Sequence, residues 1–201
     1  MDSTDGILEQ RIRDHFEASS QAQRATLATT LPQLVRAALA LALALGGGHK
    51  VLACGNGGSA ADAQHFAAEL TGRFERERHG MPGIALTTDT SALTAIANDY
   101  GFDMVFAKQV QALAQPGDWL MAISTSGNSA NVAKAIEAMH TAGGHVLALT
   151  GKDGGRIVTL LDEGDHELRA VSAVTARIQE VHLLFLHCLC DGIDELLFPQ
   201  S

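Results

Sequence analysis

Four short apolar runs recur after residue 48, and each is followed by small or polar residues and then by a segment with helical spacing. The runs are KVLAC (50–54), GIALT (83–87), WLMAIS (119–124) and HVLALT (145–150). Strands that are apolar on both faces must be covered on both faces, which is the condition of a parallel sheet between helices. A fifth strand is predicted in DHELRAV (165–171), before a long helix over 172–197. The pattern predicts a three-layer α/β/α fold with a five-stranded parallel sheet.

The segment before the first run has helical spacing over residues 6–46. Pro32 disfavours a helical conformation in the residue before it, so we predict two helices separated near 29–32. The apolar stretch over 34–45 is shorter than the roughly 20 residues that span a bilayer, and it ends at three glycines. We expect residues 1–47 to be helices for assembly and 48–197 to be the α/β core of a single domain, 1–201. A homo-oligomer with dihedral symmetry is the simplest expectation.

The chain has 201 residues and a net charge of -9, which suits one domain and disfavours extended binding to nucleic acid or anionic membranes. Its ERER run over 75–78 is interpreted as a solvated turn. The residues after Met1 do not have the pattern of a signal peptide. An odd number of cysteines, Cys54, Cys188 and Cys190, indicates a reduced, cytoplasmic protein, with Cys54 as a packing residue.

Two loops share one pattern, in which a strand is followed by Gly, Ser and Asn residues and then by a helix. They are CGNGGSAADA after the first strand and ISTSGNSANVAKA after the third. Backbone N–H groups and the positive end of a helix face an anion in this geometry. The carboxyl ends of parallel strands lie at one edge of the sheet, so both loops are expected to line one crevice.

The second loop carries four hydroxyls in six residues, whereas a helix cap needs one. This excess predicts a cradle for phosphate oxygens. Residues 54–63 of the first loop and 124–129 of the second contain no Lys or Arg, which favours a small sugar phosphate over a nucleotide triphosphate held by a Walker lysine. The spacing Gly-x-Gly-x-x-Ala over 55–60 also matches a loose dinucleotide fingerprint, but the acidic residue it requires, Asp89, comes about 30 residues on rather than about 20.

Polar residues share faces on the two helices that follow. His65 and Glu69 are four residues apart and stack on one face, which is also what a partly exposed polar stripe would show. Gln179 and His187 lie on one broad face of the last helix, and His187, within LLFLHCLC, needs a partner if it is buried. His182 is on another face and is interpreted as packed or exposed. Spacing alone does not favour zinc, because Gln is an uncommon ligand and only two imidazoles are offered.

The stretches CGNGGSAADAQHFAAELTGRF, TAIANDYGFD, ISTSGNSANVAKAI, ALTGKDGG and RIQEVHLLFLH together resemble the SIS (sugar isomerase) domain family over nearly the whole chain. Within it the resemblance is to isomerases that convert sedoheptulose 7-phosphate to D-glycero-D-manno-heptose 7-phosphate, a precursor of bacterial lipopolysaccharide. It implies a homotetramer with active sites between subunits. It also implies that Glu69 is the base and His187 its acid partner.

The resemblance further implies two sets of binding residues. Some members of the family bind zinc at the positions of His65, Glu69, Gln179 and His187. The implied substrate contacts are Asn56, Gly57, Gly58, Ser59, Glu69, Asn98, Asp99, Ser124, Thr125, Ser126, Ser129 and Gln179. One departure is Ala176, where some isomerases have an acidic residue. The loop over 151–155 is expected either beside the site or as a simple turn after the fourth strand.

A second member of the fold is also similar: a tetrameric module that associates with the bacterial replication initiator DnaA. The similar stretches are QRIRDHF, NDYGFDMVFAKQVQAL and CLCDGIDELLFP. The resemblance implies that this module has lost the carboxylate and the imidazole at positions 69 and 187. This chain keeps both, which favours the isomerase and leaves the replication initiator as an alternative partner.

Overall fold

The computed structural model describes residues 3–199 of the chain. In it, five parallel strands form one sheet in the order β2-β1-β3-β4-β5. The strands are β1 Val51–Gly55, β2 Gly83–Ala85, β3 Trp119–Ser124, β4 His145–Gly151 and β5 His166–Ala170. The helices are α1 Ser3–Gly46, α2 Gly58–Thr71, α3 Thr90–Tyr100, α4 Ala107–Leu113, α5 Ala130–Thr141, α6 Gly155–Val158 and α7 Thr175–Leu197, with a short 3₁₀ turn at Phe102–Met104.

The sheet is covered on both faces, which confirms the predicted three-layer architecture. On β3, Met121 and Ile123 pack toward α1, α2 and α7, while Leu120 and Ala122 pack toward α4 and α5. Every residue of β3 is buried, because alternate side chains enter two different apolar layers. The carboxyl ends of β1 and β3 are neighbours in this order, so the loops that follow them lie side by side.

The N-terminal segment is one continuous helix of 44 residues, with Pro32 inside it, so the prediction of two helices was wrong. The helix lies against β5 and α7. The Thr26 hydroxyl accepts a hydrogen bond from the Val171 amide at 2.9 Å, and the Thr30 hydroxyl donates to the Arg169 carbonyl at 3.4 Å. Both contacts lie in the two turns before Pro32, where the proline removes one helical hydrogen bond. Tertiary packing therefore overrides the local preference.

Helix α1 is long and apolar enough, by length and composition, to cross a membrane, with an 18-residue window of mean hydropathy 1.5. Residues 34–45 alone are too short to span a bilayer, but the helix that contains them is long enough. One such helix is weak evidence of a membrane span, because core helices pass the same test. In this fold Ala37 and Leu41 are fully buried against the domain, while Phe16 and Leu43 remain about three-quarters exposed.

The charged run over 75–78 is not a solvated turn throughout. The Arg78 side chain is only 1% exposed and forms an ion pair with Asp194 of α7 at 2.8 Å. A buried guanidinium requires such a partner, because leaving its charge unpaired in the interior is costly. Cys54 is buried in β1 as expected of a packing residue, and burial raises the pKa of its thiol to about 12.

Candidate active site

The loops after β1 and β3 are joined by a pair of side-chain amides. Asn56 Nδ2 donates to Asn131 Oδ1 at 2.8 Å, and Asn131 Nδ2 donates to Asn56 Oδ1 at 2.9 Å. Asn131 is 3% exposed and lies in the first turn of α5. This pair holds together the two segments that were predicted to line one crevice. Sequence reasoning missed Asn131, although its position directly after the loop over 124–129, the Ser-rich loop, was a signal.

The hydroxyls of the Ser-rich loop do not serve the helix that follows them. Ser129 occupies the N-cap position of α5, but its side chain makes no capping hydrogen bond to the described chain. Its hydroxyl lies 2.9 Å from the buried Ser124 hydroxyl instead. Thr125 and Ser126 are partly exposed, and Ser126 Oγ accepts from the Asn128 amide at 3.2 Å. The capping interpretation is therefore excluded for Ser129, and the loop presents hydroxyls beside an open helix N-terminus.

The glycine loop over 151–155 lies against the Ser-rich loop, which decides between the two alternatives for it. The Ile157 amide donates to the Gly127 carbonyl at 2.9 Å, and the Arg156 amide donates to Asn128 Oδ1 at 3.0 Å. Gly127 has a φ of 66°, and a Cβ on it would overlap the Gly154 carbonyl. The two loops approach this closely only because residue 127 lacks a side chain.

Helices α2 and α7 bring four predicted residues together. His65 Nε2 and Glu69 Oε1 are 2.9 Å apart, with the Glu69 side chain 23% exposed. The rings of His65 and His187 meet edge to face at 5.2 Å between centroids. At the start of α2, a Cβ on Gly58 would overlap the Gln179 amide, so this part of the first loop lies directly against α7.

His187 has a second ring neighbour that the sequence reading missed. The Phe74 ring stacks on it at 5.5 Å between centroids, with planes 29° apart. Phe74 belongs to the segment after α2. His187 therefore lies between Phe74 and His65, which restricts how its ring can rotate.

Two pKa shifts describe the electrostatics around this group. Burial raises the pKa of Asp62 to about 6, with His65 acting in the opposite direction. Asp62 Oδ2 is buried without a hydrogen-bond partner in residues 3–199. Burial also raises the pKa of Cys190 to about 12, and the carboxylates of Glu69 and Asp194 raise it further. The negative charge of Glu69 therefore acts on α7 at Cys190, one turn beyond His187.

Asn98 and Asp99 lie apart from this group within the chain. They are exposed at the end of α3, where Asn98 Nδ2 donates to Asp99 Oδ1 at 2.8 Å. Helix α3 packs on the face of the sheet that carries α4 and α5, whereas α2 and α7 cover the other face. Ala176 also lies elsewhere, at an open cavity of about 320 Å³ between α1 and the start of α7.

The donor set proposed for a metal fits zinc in its chemistry. His65 and His187 offer imidazole nitrogens, Glu69 offers a carboxylate and Gln179 an amide oxygen, and all four side chains lie on α2 and α7. As the side chains stand, no group of three or more His, Cys, Asp and Glu residues in the described chain is placed to hold an ion. The ligand role of these residues stays a prediction.

His182 is a packed residue, in line with one of the alternatives given for it. Its side chain is fully buried, and Nε2–H donates to the Thr150 carbonyl at 2.8 Å, at the end of β4. Burial lowers the pKa of His182 from 6.5 to about 4. The ring supports the backbone from which the loop over 151–155 departs, behind the site.

We expect the stability that His182 contributes to depend on pH. Folding keeps the ring neutral while the unfolded chain binds a proton below pH 6.5, so the contribution is complete above pH 6.5 and is lost as the pH falls toward 4. The loss is about 1.4 kcal/mol per pH unit within that window. A His182→Gln variant, which can donate to Thr150 without titrating, should lack this component when urea unfolding is measured at pH 7 and pH 5.

The change in unfolding free energy between pH 7 and pH 5 must be compared between wild type and His182→Gln, because Asp62 contributes a pH dependence of the opposite sign. Its raised pKa means that the folded state binds more protons than the unfolded state between pH 3.8 and about 6. This term is common to both proteins. Equal pH dependence in wild type and His182→Gln would show that the ring does not stay neutral in the fold.

An α/β/α sheet with two Gly/Ser loops at its carboxyl edge is the architecture of SIS domains, and the SIS domain model matches residues 14–151. The chain is 59% identical to the phosphoheptose isomerase of Shewanella oneidensis over 193 residues, which are 96% of this chain and 98% of that protein. Solved structures agree. That of the Neisseria gonorrhoeae phosphoheptose isomerase is 52% identical with a TM-score of 0.89, covering 94% of this chain and 99% of that one.

The structure of the Francisella tularensis phosphoheptose isomerase is 43% identical with a TM-score of 0.88, covering 97% of this chain and all of that one. Two independent measures, sequence identity and backbone superposition, therefore select the same group. The chain belongs to the SIS domain family and, within it, to the phosphoheptose isomerases. The resemblance described from its motifs is confirmed.

Proposed function

We propose that the protein is an aldose-ketose isomerase that converts sedoheptulose 7-phosphate to D-glycero-D-manno-heptose 7-phosphate. The observation that carries the proposal is the convergence of Glu69, His65 and His187 on α2 and α7, the first of which begins in one of the two anion-binding loops. The relatives at 43–59% identity are phosphoheptose isomerases, which supports the assignment. In this role the protein supplies a heptose phosphate for lipopolysaccharide synthesis in the cytoplasm.

The phosphate end of the sugar binds in the Ser-rich loop. Hydroxyls of Ser124, Thr125, Ser126 and Ser129, backbone N–H groups and the N-terminus of α5 supply the donors. The first loop, with Asn56, Gly57, Gly58 and Ser59, faces it through the Asn56–Asn131 pair. Because the phosphate is anchored here, the opened sugar extends toward α2 and α7.

The reaction moves one proton between neighbouring carbons. The Glu69 carboxylate removes a proton from C1 of the ketose and returns it to C2 of the enediol, and His187 transfers the proton between the two oxygens. A positioned general base contributes roughly 10²- to 10⁴-fold. The remaining stabilisation of the enediolate must come from donors fixed beside its oxygens, of which Gln179 is one.

Zinc is the metal that the resemblance to zinc-binding members of the SIS family implies. His65, Glu69, Gln179 and His187 would hold it, and as a Lewis acid it would stabilise negative charge on the substrate oxygens. The proposal is tested by equilibrating metal-free protein with zinc and with magnesium and measuring bound metal. Stoichiometric zinc in wild type, lost in His65→Ala, is the expected result, and equal zinc content in both proteins would contradict the ligand set.

We expect a homotetramer with the active site shared between subunits. Exposed apolar side chains along α1, such as Phe16, Leu27 and Leu43, would become buried in such an assembly. Asn98 and Asp99 are on the opposite face of the sheet from Glu69, so they reach a substrate there only from a neighbouring protomer. Sedimentation equilibrium distinguishes a tetramer from a monomer.

The function is tested by incubating the zinc-supplied protein with sedoheptulose 7-phosphate and following the aldose product by NMR. Product formation at a catalytic rate is the expected result. An intact, folded tetramer that forms no product would contradict the isomerase. In that case binding to purified replication initiator DnaA would be the next measurement, because the DnaA-associating protein is the alternative of the same fold.

Replacing Ser126 of the Ser-rich loop gives a separate prediction. Ser126→Ala should raise KM by about 10- to 150-fold and change kcat little, because one hydrogen bond to a charged phosphate contributes roughly 1.5–3 kcal/mol to binding. Steady-state kinetics measures both constants. An unchanged KM would remove Ser126 from the phosphate cradle.

A further inference from the structure

The guanidinium of Arg78 lies beneath the last turn of α2. Its Nη2 donates to the Glu69 carbonyl at 2.8 Å, and Nη1 donates to the carbonyls of Leu70 at 2.8 Å and Gly72 at 3.0 Å. The side chain is 1% exposed. Arg78 therefore holds the backbone of the residue whose carboxylate is the proposed base.

Helix ends create a need for such a donor. The last carbonyls of an α-helix have no partner within the helix, and the end carries partial negative charge. The last turn of α2 contains no basic residue of its own, so the cation comes from the segment that follows it. The planar guanidinium can donate to several carbonyls at once, which the single ammonium of a lysine cannot do in the same geometry.

The same guanidinium also contacts the helix that carries His187. Arg78 Nε donates to Asp194 Oδ1 at 2.8 Å, and the Asp194 side chain is likewise 1% exposed. Asp194 follows His187 by seven residues, or about two turns, so both lie on the same side of α7. One buried cation thus joins the end of α2 to α7.

We propose that Arg78 is a positioning residue that fixes the separation between Glu69 and His187. This inference rests on the proposed isomerase function, in which those two side chains share the proton transfers. Within residues 3–199 Arg78 donates no hydrogen bond to the Ser-rich loop, so its replacement should affect proton transfer and leave phosphate anchoring unchanged.

The test compares Arg78→Lys and Arg78→Ala with a matched control, Arg76→Ala. Arg76 lies two residues away and also binds the end of the chain, through the Phe198 carbonyl at 3.2 Å and the Glu195 carboxylate, but it does not contact α2 carbonyls. We expect kcat to fall about 10- to 100-fold in both Arg78 variants with KM within about twofold, because small displacements of reacting groups have effects of this size. Arg76→Ala should keep both constants.

Two further measurements separate positioning from a general loss of stability. Millimolar guanidinium should restore part of the kcat of Arg78→Ala by filling the vacated site, whereas a merely destabilised protein would gain no activity from it. NMR signals of the His65 and His187 rings should shift in Arg78→Lys and stay in place in Arg76→Ala. That shift is observable without turnover, so it tests the positioning role even if the isomerase assay fails.

The proposal is overturned if folded Arg78→Lys keeps wild-type kcat, or if its histidine signals coincide with those of wild type. It is also overturned if kcat falls equally in Arg76→Ala, since the effect would then belong to the whole segment. Circular dichroism and thermal melting establish that each variant is folded before the kinetics are compared.

Discussion

Glu69→Gln is expected to lower kcat by about 10³-fold or more while leaving the fold and the assembly unchanged. The substitution keeps the shape of the side chain and a hydrogen-bonding oxygen within reach of His65 Nε2, now 2.9 Å from Glu69 Oε1. It removes the carboxylate that we propose as the base, and a positioned base alone contributes roughly 10²- to 10⁴-fold. Aldose formation followed by NMR, with melting curves on the same samples, measures both parts of the prediction.

Glu77→Gln provides the matched control for this variant. The Glu77 side chain is 91% exposed, and its nearest cationic neighbour is Arg73 at 3.5 Å. It undergoes the same chemical change at a place where charge is solvated, so its kcat should equal that of wild type. Near-normal turnover in Glu69→Gln would show that another group performs the proton transfer.

The sheet could be predicted from sequence because both of its faces are buried. The strands β1, β3 and β4 are buried at nearly every position, so their apolar runs stand out between polar loops. The N-terminal helix could not be predicted in the same way. Local rules place a break at Pro32, but the contacts of Thr26 and Thr30 with β5 come from residues about 140 positions away and keep the helix continuous.

The candidate site could likewise be predicted only in part from the sequence. Pairs within one helix, such as His65 with Glu69, follow from a spacing of four residues. The Asn56–Asn131 pair spans 75 positions and the Arg78–Asp194 pair spans 116, so each depends on how elements pack. For Arg78 the local pattern was misleading, because a charged run in a connecting segment is typical of solvated turns, and the need for a cation arises from the end of α2.

Gly127→Ala should have the second large effect, on folding stability and on the Ser-rich loop. A methyl group at residue 127 would overlap the Gly154 carbonyl and approach the Gly155 nitrogen to 2.8 Å, and the φ of 66° is itself unfavourable for alanine. The two loops must move apart, which would cost about 2–4 kcal/mol of folding stability. Because this movement displaces the hydroxyls that we propose hold the phosphate, KM should rise about 10-fold or more. Denaturant unfolding and steady-state kinetics measure the two effects.

Gly48→Ala separates the backbone term from the clash. Gly48 also has a positive φ, 85°, and it lies just after α1. In contrast to Gly127, open space surrounds the position that a Cβ on Gly48 would occupy. The Gly48→Ala variant should lose only the roughly 1 kcal/mol of the backbone conformation and keep its KM. If Gly127→Ala matched Gly48→Ala in both stability and KM, the contact between the two loops would not define the phosphate cradle. A larger loss in Gly127→Ala, with KM raised only there, would show that the glycine loop holds the hydroxyls in place.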